Sequence, residues 1–293
     1  MITAARMCFG FPEKTARLRP HDLRATPAQT ETLTMFIPLY DSNGLKHIKL
    51  QWVTWSLIVI NTLVWAVTGL AGNDSEFTNA TFLGLGYIPS VVNDIAELPA
   101  SLVLVPEDAT YITYSFLHGN LLHLGSNMLF LWVFGDNVED AMGHIRFLIF
   151  YFLCAAAGAF MHGLLLPASE GPLIGASGAV AGVIAAYLIL HPRVRVWVLV
   201  LGRIPLPLPA YIPLLFWVGT QFFMVVTDIG GEVSWGAHIG GIIAGAILVL
   251  VFRRSGVPLF DRTIESPKAV IHETPHPEPE NAASQTPPTK WGR

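Results

Sequence analysis

Charge is the scarcest thing in this chain. Only 13% of its 293 residues are charged, about half the share of an ordinary soluble domain, and with a mean hydropathy of +0.51 a soluble fold of this length is excluded. The net charge of −4 comes from tails and loops of opposite sign. No basic patch results, so nucleic acid is not an expected partner. Cysteine is nearly absent too. Cys8 falls in a polar N-terminal stretch and Cys154 in an apolar run, so neither a disulfide framework nor a thiolate metal site is expected. No phosphate-cradling glycine loop and no ligand cluster occur, and no metal, nucleotide or other cofactor is expected.

What the chain has in abundance is long apolar runs. They fall at 51–71, 114–135, 146–166, 175–190, 209–227 and 234–252, broken by Gly, Pro or charge rather than by strand-like alternation. A bilayer core about 30 Å thick asks for helices of this length, so the expected fold class is an all-α polytopic membrane protein with six transmembrane helices. Residues 1–50 read as an N-terminal tail, 51–253 as the membrane domain and 254–293 as a Pro-, Glu- and Ser-rich disordered tail. Met35 offers an alternative start, which would leave 1–34 untranslated. None of the seventeen Lys and Arg lies in 72–113, 167–174 or 228–233, whereas Arg146, Arg193, Arg195 and Arg203 mark the opposite side. Short cytoplasmic loops collect positive charge, so both termini are expected in the cytoplasm.

Polar groups inside lipid are costly and mark places to look for function. Four stand out: His123, Asn127, Ser177 and His238. Ser177 lies near the start of a run of sixteen residues, 175–190, about 24 Å of helix at 1.5 Å per residue. That is too short to span fully, so its start is expected to dip below the outer surface, where irregular backbone must border protein or water. A helix N-terminus there would offer free N–H groups to an oxyanion. The other reading of Gly175-Ala176-Ser177-Gly178 is a small-residue packing surface. His238 shares a face with Gly241 and Gly245. If that glycine stripe meets Gly178 and Gly182, the imidazole reaches the serine as a general base; otherwise it is a histidine hydrogen-bonded within a bundle. His123 and Asn127, four apart, could form an oxyanion hole or simply bond between helices. His118, five residues before His123, is expected on a different face, which argues against a shared His-His metal site.

Together these segments resemble the rhomboid intramembrane serine proteases over residues 35–253. The carriers are His118-Gly-Asn-Leu-Leu-His123-Leu-Gly-Ser-Asn127, the G-x-x-x-E-x-x-x-G turn of Gly135, Glu139 and Gly143, Gly175-Ala-Ser177-Gly178, and Ala237-His238 with Gly241 and Gly245. The resemblance implies a six-helix bundle with a short, buried fourth helix. It implies Ser177 as nucleophile and His238 as base. His123, Asn127 and the Ser177 N–H would hold the oxyanion, and His118, Gly175, Gly178, Glu139, Gly241 and Gly245 would give structural support. It further implies single-span or polytopic membrane protein substrates cut near the outer face, and a bacterial inner membrane as the home. The chief rival is a non-catalytic rhomboid-like membrane chaperone or binding protein; a small-solute transporter is a second, for which neither inverted repeats nor a midplane charged residue is found. Two positions depart from the family: Ala109-Thr110 stand where many members have Trp-Arg, and Ala181 stands where some place a tyrosine against the histidine. The orientation of His238 must then come from elsewhere.

Overall fold

The computed structural model describes residues 16–17, 36–72, 75–227 and 234–261. In chain order the elements are β1 (Ala16–Arg17), β2 (Phe36–Asp41), α1 (Trp52–Leu70), α2 (Glu76–Leu85), α3 (Pro89–Val92), β3 (Ala96–Glu97), α4 (Thr110–Thr113), α5 (Leu121–Met142), α6 (His144–Leu165), α7 (Ser177–Leu190), β4 (Arg195–Val200), β5 (Ile204–Pro209), α8 (Tyr211–Thr227) and α9 (Trp235–Phe252). Three of the helices, α1, α6 and α9, are long and apolar enough to cross a membrane, and α7 and α8 are shorter apolar helices.

The second expected span, 114–135, is displaced: the helix runs from Leu121 to Met142. Hydropathy favoured the apolar residues before it, but Asn120 caps the helix by accepting the His123 N–H at 2.8 Å, and residues 114–116 form a separate 3-10 turn. Hydropathy also stopped at the acids Asp136, Glu139 and Asp140, which the fold keeps in the helix by giving two of them backbone donors. Glu139, with no solvent exposure, accepts from Val53 N at 3.0 Å, Thr54 N at 2.8 Å and Thr54 Oγ1 at 2.7 Å, and lies 2.5 Å from His144 Nδ1. It thereby serves the unpaired N–H groups that open α1, whose own N-cap residue Gln51 makes no side-chain cap. Asp140 accepts from Lys46 N, His47 N and Ile48 N at 2.6 to 3.0 Å. Gly135 and Glu139 therefore lie within α5, and only Gly143, at φ +86°, makes the turn expected of all three.

The boundaries at both tails also shift. Residues 36–50 include a strand and the Asp140-bound segment, and 254–261 are packed: Arg254 N donates to Ala141 O at 2.8 Å and Asp261 N to Leu190 O at 3.0 Å. The rest of the expected tails lies outside the described residues, apart from Ala16 and Arg17. Those two pair in parallel with Ala96 and Glu97, which precede α5 and belong to the loop expected on the opposite side from the tail. That pairing runs against the expected placement of the tail, which follows from where the Lys and Arg residues fall.

A three-stranded antiparallel sheet, in the order β2-β4-β5, was not expected. Val196 and Val198 of β4 face inward. Pro205, Pro207 and Pro209 sit at alternate positions of the edge strand β5, where missing N–H groups cost no ladder bonds. At the end of β2, Asp41 accepts from Tyr187 Oη at 2.7 Å and Asn137 Nδ2 at 2.9 Å, tying the sheet to α7 and α5. Burial, with Asp136 as a second cause, pushes the Asp41 carboxyl up to about 7. Its unfolded value is about 4, so the folded chain keeps a proton that the unfolded chain releases. The stability from this is complete below about pH 4 and is lost as pH rises through about 7. Between those values the thermal midpoint of wild type should fall more steeply than that of Asp41→Asn, which cannot titrate. Parallel midpoint profiles would show that Asp41 does not supply this slope.

Candidate active site

The site begins with glycine contacts. A Cβ on Gly241 of α9 would collide with the carbonyl oxygen of Gly178 on α7 and lie 3.3 Å from its Cα, and one on Gly245 would lie 2.5 Å from the Cα of Gly182. On the far side of α9, a Cβ on Gly240 would overlap the Ala157 carbonyl of α6. Small residues thus let α6, α7 and α9 approach backbone to backbone. That close packing puts the start of α7, at Ser177, beside the first turn of α9, which carries His238.

The segment leading into α7 is held by its backbone. Leu173 exchanges two hydrogen bonds with Tyr87, and Gly175 N donates to Tyr114 O at 3.0 Å. Gly175 sits at φ +120°, and a Cβ there would lie 2.6 Å from His123 Nε2. Only glycine allows both that conformation and the imidazole resting on its backbone. His118 and His123 are likewise together, with ring centroids 5.0 Å apart in an edge-to-face pair. They were expected on different faces, but His118 precedes the cap of α5 and so is not bound by helical spacing. Ala176 N points at His118 Nε2 from 3.5 Å, a long contact that places this ring behind the turn before Ser177. Among the described residues, no group of three His, Cys, Asp or Glu is arranged to hold a metal ion.

A cavity of about 490 Å³ lies between α5 on one wall and α8 on the other, and Asn127, Ser177, Thr220, Gln221 and His238 supply polar groups to it. Phe36 against Phe216 and Phe130 against Trp217 pair across its lining. Asn127 opens on this space while its Nδ2 donates to His123 O at 2.9 Å. His123 itself lies behind, against Gly175. Ser177 Oγ makes no hydrogen bond among the described residues, so the serine and His238 share the cavity without a formed bond. Catalytic contacts in unliganded sites are commonly longer than in the reacting complex.

His238 is 5% exposed. Its Nδ1 is 2.7 Å from Gln221 Oε1 on α8, with the Trp217 ring tilted 33° at 6.0 Å and Trp235 edge-on at 5.9 Å. These three side chains, on α8 and α9, contact the ring and orient it. Sequence reasoning passed over Gln221, although an uncharged polar residue inside an apolar run is the same signal that drew attention to Asn127. It also passed over Tyr114, whose hydroxyl donates to Ala155 O at 2.8 Å directly beneath Gly178.

Residues 107–255 match the family model for the Rhomboid domain. Among curated proteins, the chain is 31% identical over 153 residues to rhomboid protein 1, mitochondrial, of Saccharomyces cerevisiae, which covers 49% of this chain and 41% of that protein. It is 25% identical over 262 residues to RHOMBOID-like protein 4 of Arabidopsis thaliana, 80% of this chain and 62% of that one. It is 27% identical over 156 residues to the human presenilin-associated rhomboid-like protein, mitochondrial, 50% of this chain and 38% of that one. The chain spans about half the length of the curated relatives it matches.

Proposed function

The chain belongs to the rhomboid family, and on that footing we propose that it is an intramembrane serine endopeptidase, with Ser177 as nucleophile and His238 as general base. The observation that carries this reading is that both side chains open on one cavity while glycine packing fixes the helices that bear them. In the reaction the Ser177 O–H breaks, its proton passes to His238, and Oγ bonds to the scissile carbonyl carbon. The carbonyl electron pair moves onto oxygen. The Ser177 N–H at the start of α7 faces that charge with the helix dipole behind it, and Asn127 and His123 are the proposed side-chain donors. The oxyanion pair then returns to re-form the carbonyl, the C–N bond breaks as His238 gives its proton to the leaving amine, and water attacks the acyl-enzyme by the same route to release the acid and restore the Ser177 hydroxyl. No cofactor enters.

The proposed membrane domain has six spans, α1, α5, α6, α7, α8 and α9. Fourteen residues make α7 about 21 Å long, so with its other end at the inner face Ser177 lies below the outer one. The face bearing Arg193, Arg195 and Arg203 is assigned to the cytoplasm, along with both ends of the bundle, in a bacterial inner membrane. Substrates are single-span or polytopic membrane proteins. A substrate helix hides its carbonyls in hydrogen bonds and must unwind before attack, so cleavage should fall near its outer end, after a small residue and close to Gly, Pro or polar residues. The test is cleavage of a panel of single-span proteins by wild type and Ser177→Ala. Replacing the helix-weakening residues of a cleaved substrate by Leu should slow its cleavage severalfold, and equal rates would overturn the unwinding step.

A further inference from the structure

We propose that Gln221 is a positioning residue that holds His238 in the tautomer with its proton on Nδ1, leaving the Nε2 lone pair to receive the Ser177 proton. This rests on the dyad reading above and adds to it the group that decides which nitrogen acts. The amide orientation follows from its neighbours. Gln221 is 3% exposed, and one end of its amide lies 3.0 Å from the Trp217 carbonyl oxygen. A carbonyl can only accept, so that end is the NH₂ and the other is Oε1. Oε1 lies 2.7 Å from His238 Nδ1 and can itself only accept, so Nδ1 must carry the hydrogen. A neutral imidazole has one proton, and Nε2 is therefore bare.

The surroundings support the assignment. Trp217 and Trp235 flank the ring and restrict its rotation, so the Nδ1 bond to Gln221 fixes the position of Nε2 as well as its protonation. The acceptor is a neutral amide. It orients the ring without the negative charge with which a carboxylate would stabilise the imidazolium. Without it, a free imidazole would divide between two tautomers, only one of which is a base toward Ser177.

The test uses the full chain in detergent or proteoliposomes, with Gln221→Leu, which keeps the bulk and loses the acceptor, and Gln221→Glu, which restores an acceptor. The readouts are kcat and KM on a single-span test protein, the pH profile of the rate, and the ¹⁵N shifts of His238. A general base contributes about 10²- to 10⁴-fold, and here it is weakened rather than removed. Gln221→Leu should therefore lower kcat about 10- to 100-fold with KM nearly unchanged, and its ¹⁵N spectrum should show both tautomers. Gln221→Glu should regain most of the rate while its side chain is protonated, because the acid O–H can donate to the Trp217 carbonyl and its carbonyl oxygen can accept from Nδ1 as the amide does; His123, a titratable neighbour of the ring, is the same in all three proteins. Wild-type kcat in Gln221→Leu, or a loss that Glu does not repair, overturns the proposal. If wild type neither cleaves nor reacts with a serine probe, the dyad reading fails on its own. The ¹⁵N shifts still decide this inference: Nδ1 protonated in wild type and mixed in Gln221→Leu supports it, and identical spectra overturn it.

Discussion

Ser177→Ala should abolish labelling of the folded protein by a fluorophosphonate, and His238→Ala should lower it by about 10²- to 10⁴-fold. The probe reports activation directly. Oγ forms a bond to phosphorus, the P–F bond breaks, fluoride leaves and the hydroxyl proton goes to His238. An unassisted serine does this poorly at neutral pH. In His123→Ala or Asn127→Ala the base remains and a donor to the developing oxyanion is lost, so labelling should weaken by about 10- to 1000-fold per donor without vanishing. The two donors are not equivalent in the structure. Asn127 already faces the cavity, whereas His123 is packed against Gly175, so truncating His123 also removes the surface that the Gly175 turn rests on. The accompanying loss of stability should be greater for His123→Ala than for Asn127→Ala. If wild type and Ser177→Ala label equally, the serine is not activated and the non-catalytic rhomboid-like reading takes the place of the protease.

The parts legible in the sequence share one property, a requirement local enough to leave a pattern. Gly178 and Gly182 on one helix and Gly241 and Gly245 on another could be matched because close helix approach demands small residues at helical spacing, and the structure packs these four together. The start of α5 was misplaced because hydropathy sums over a window and cannot see that Asn120 caps a helix. Its end was misplaced because acids were read as a boundary. Glu139 and Asp140 take backbone N–H groups from residues about ninety positions earlier, a pairing that no local pattern contains. The sheet was missed for a related reason. Each strand is six residues long, too short to register beside spans of about twenty, and its pairing joins the start of the chain to a hairpin beyond α7. His118 and His123 were separated by assuming one continuous helix through both. Gln221 is the instructive miss, since its burial was predictable from the apolar run around it while its partner, seventeen residues along in another helix, was not.

The second large effect tests whether helix packing and chemistry are one arrangement. Gly241→Ala places a methyl where the Gly178 carbonyl stands. Backbone has no alternative rotamer, so α7 and α9 must separate. Overpacking of this kind costs about 1–3 kcal/mol, visible as a lower thermal midpoint. The larger consequence is geometric. Ser177 begins α7 one residue before Gly178, and His238 lies one turn before Gly241 on α9, so the displacement acts almost directly on the pair. A misplacement of about 1 Å costs about 10²-fold in rate, and the variant that remains folded should lose cleavage and probe labelling to about that extent. Gly219→Ala is the matched control. It lies on α8, where an added Cβ meets nothing within 4 Å, and alanine is the better helix former by about 1 kcal/mol, so its stability should hold or rise and its activity should stay near wild type. A Gly241→Ala protein that cleaves like wild type would mean that Ser177 and His238 do not depend on this contact for their alignment, and a Gly219→Ala protein as damaged as Gly241→Ala would mean that the loss follows from replacing any helical glycine rather than from the collision with Gly178.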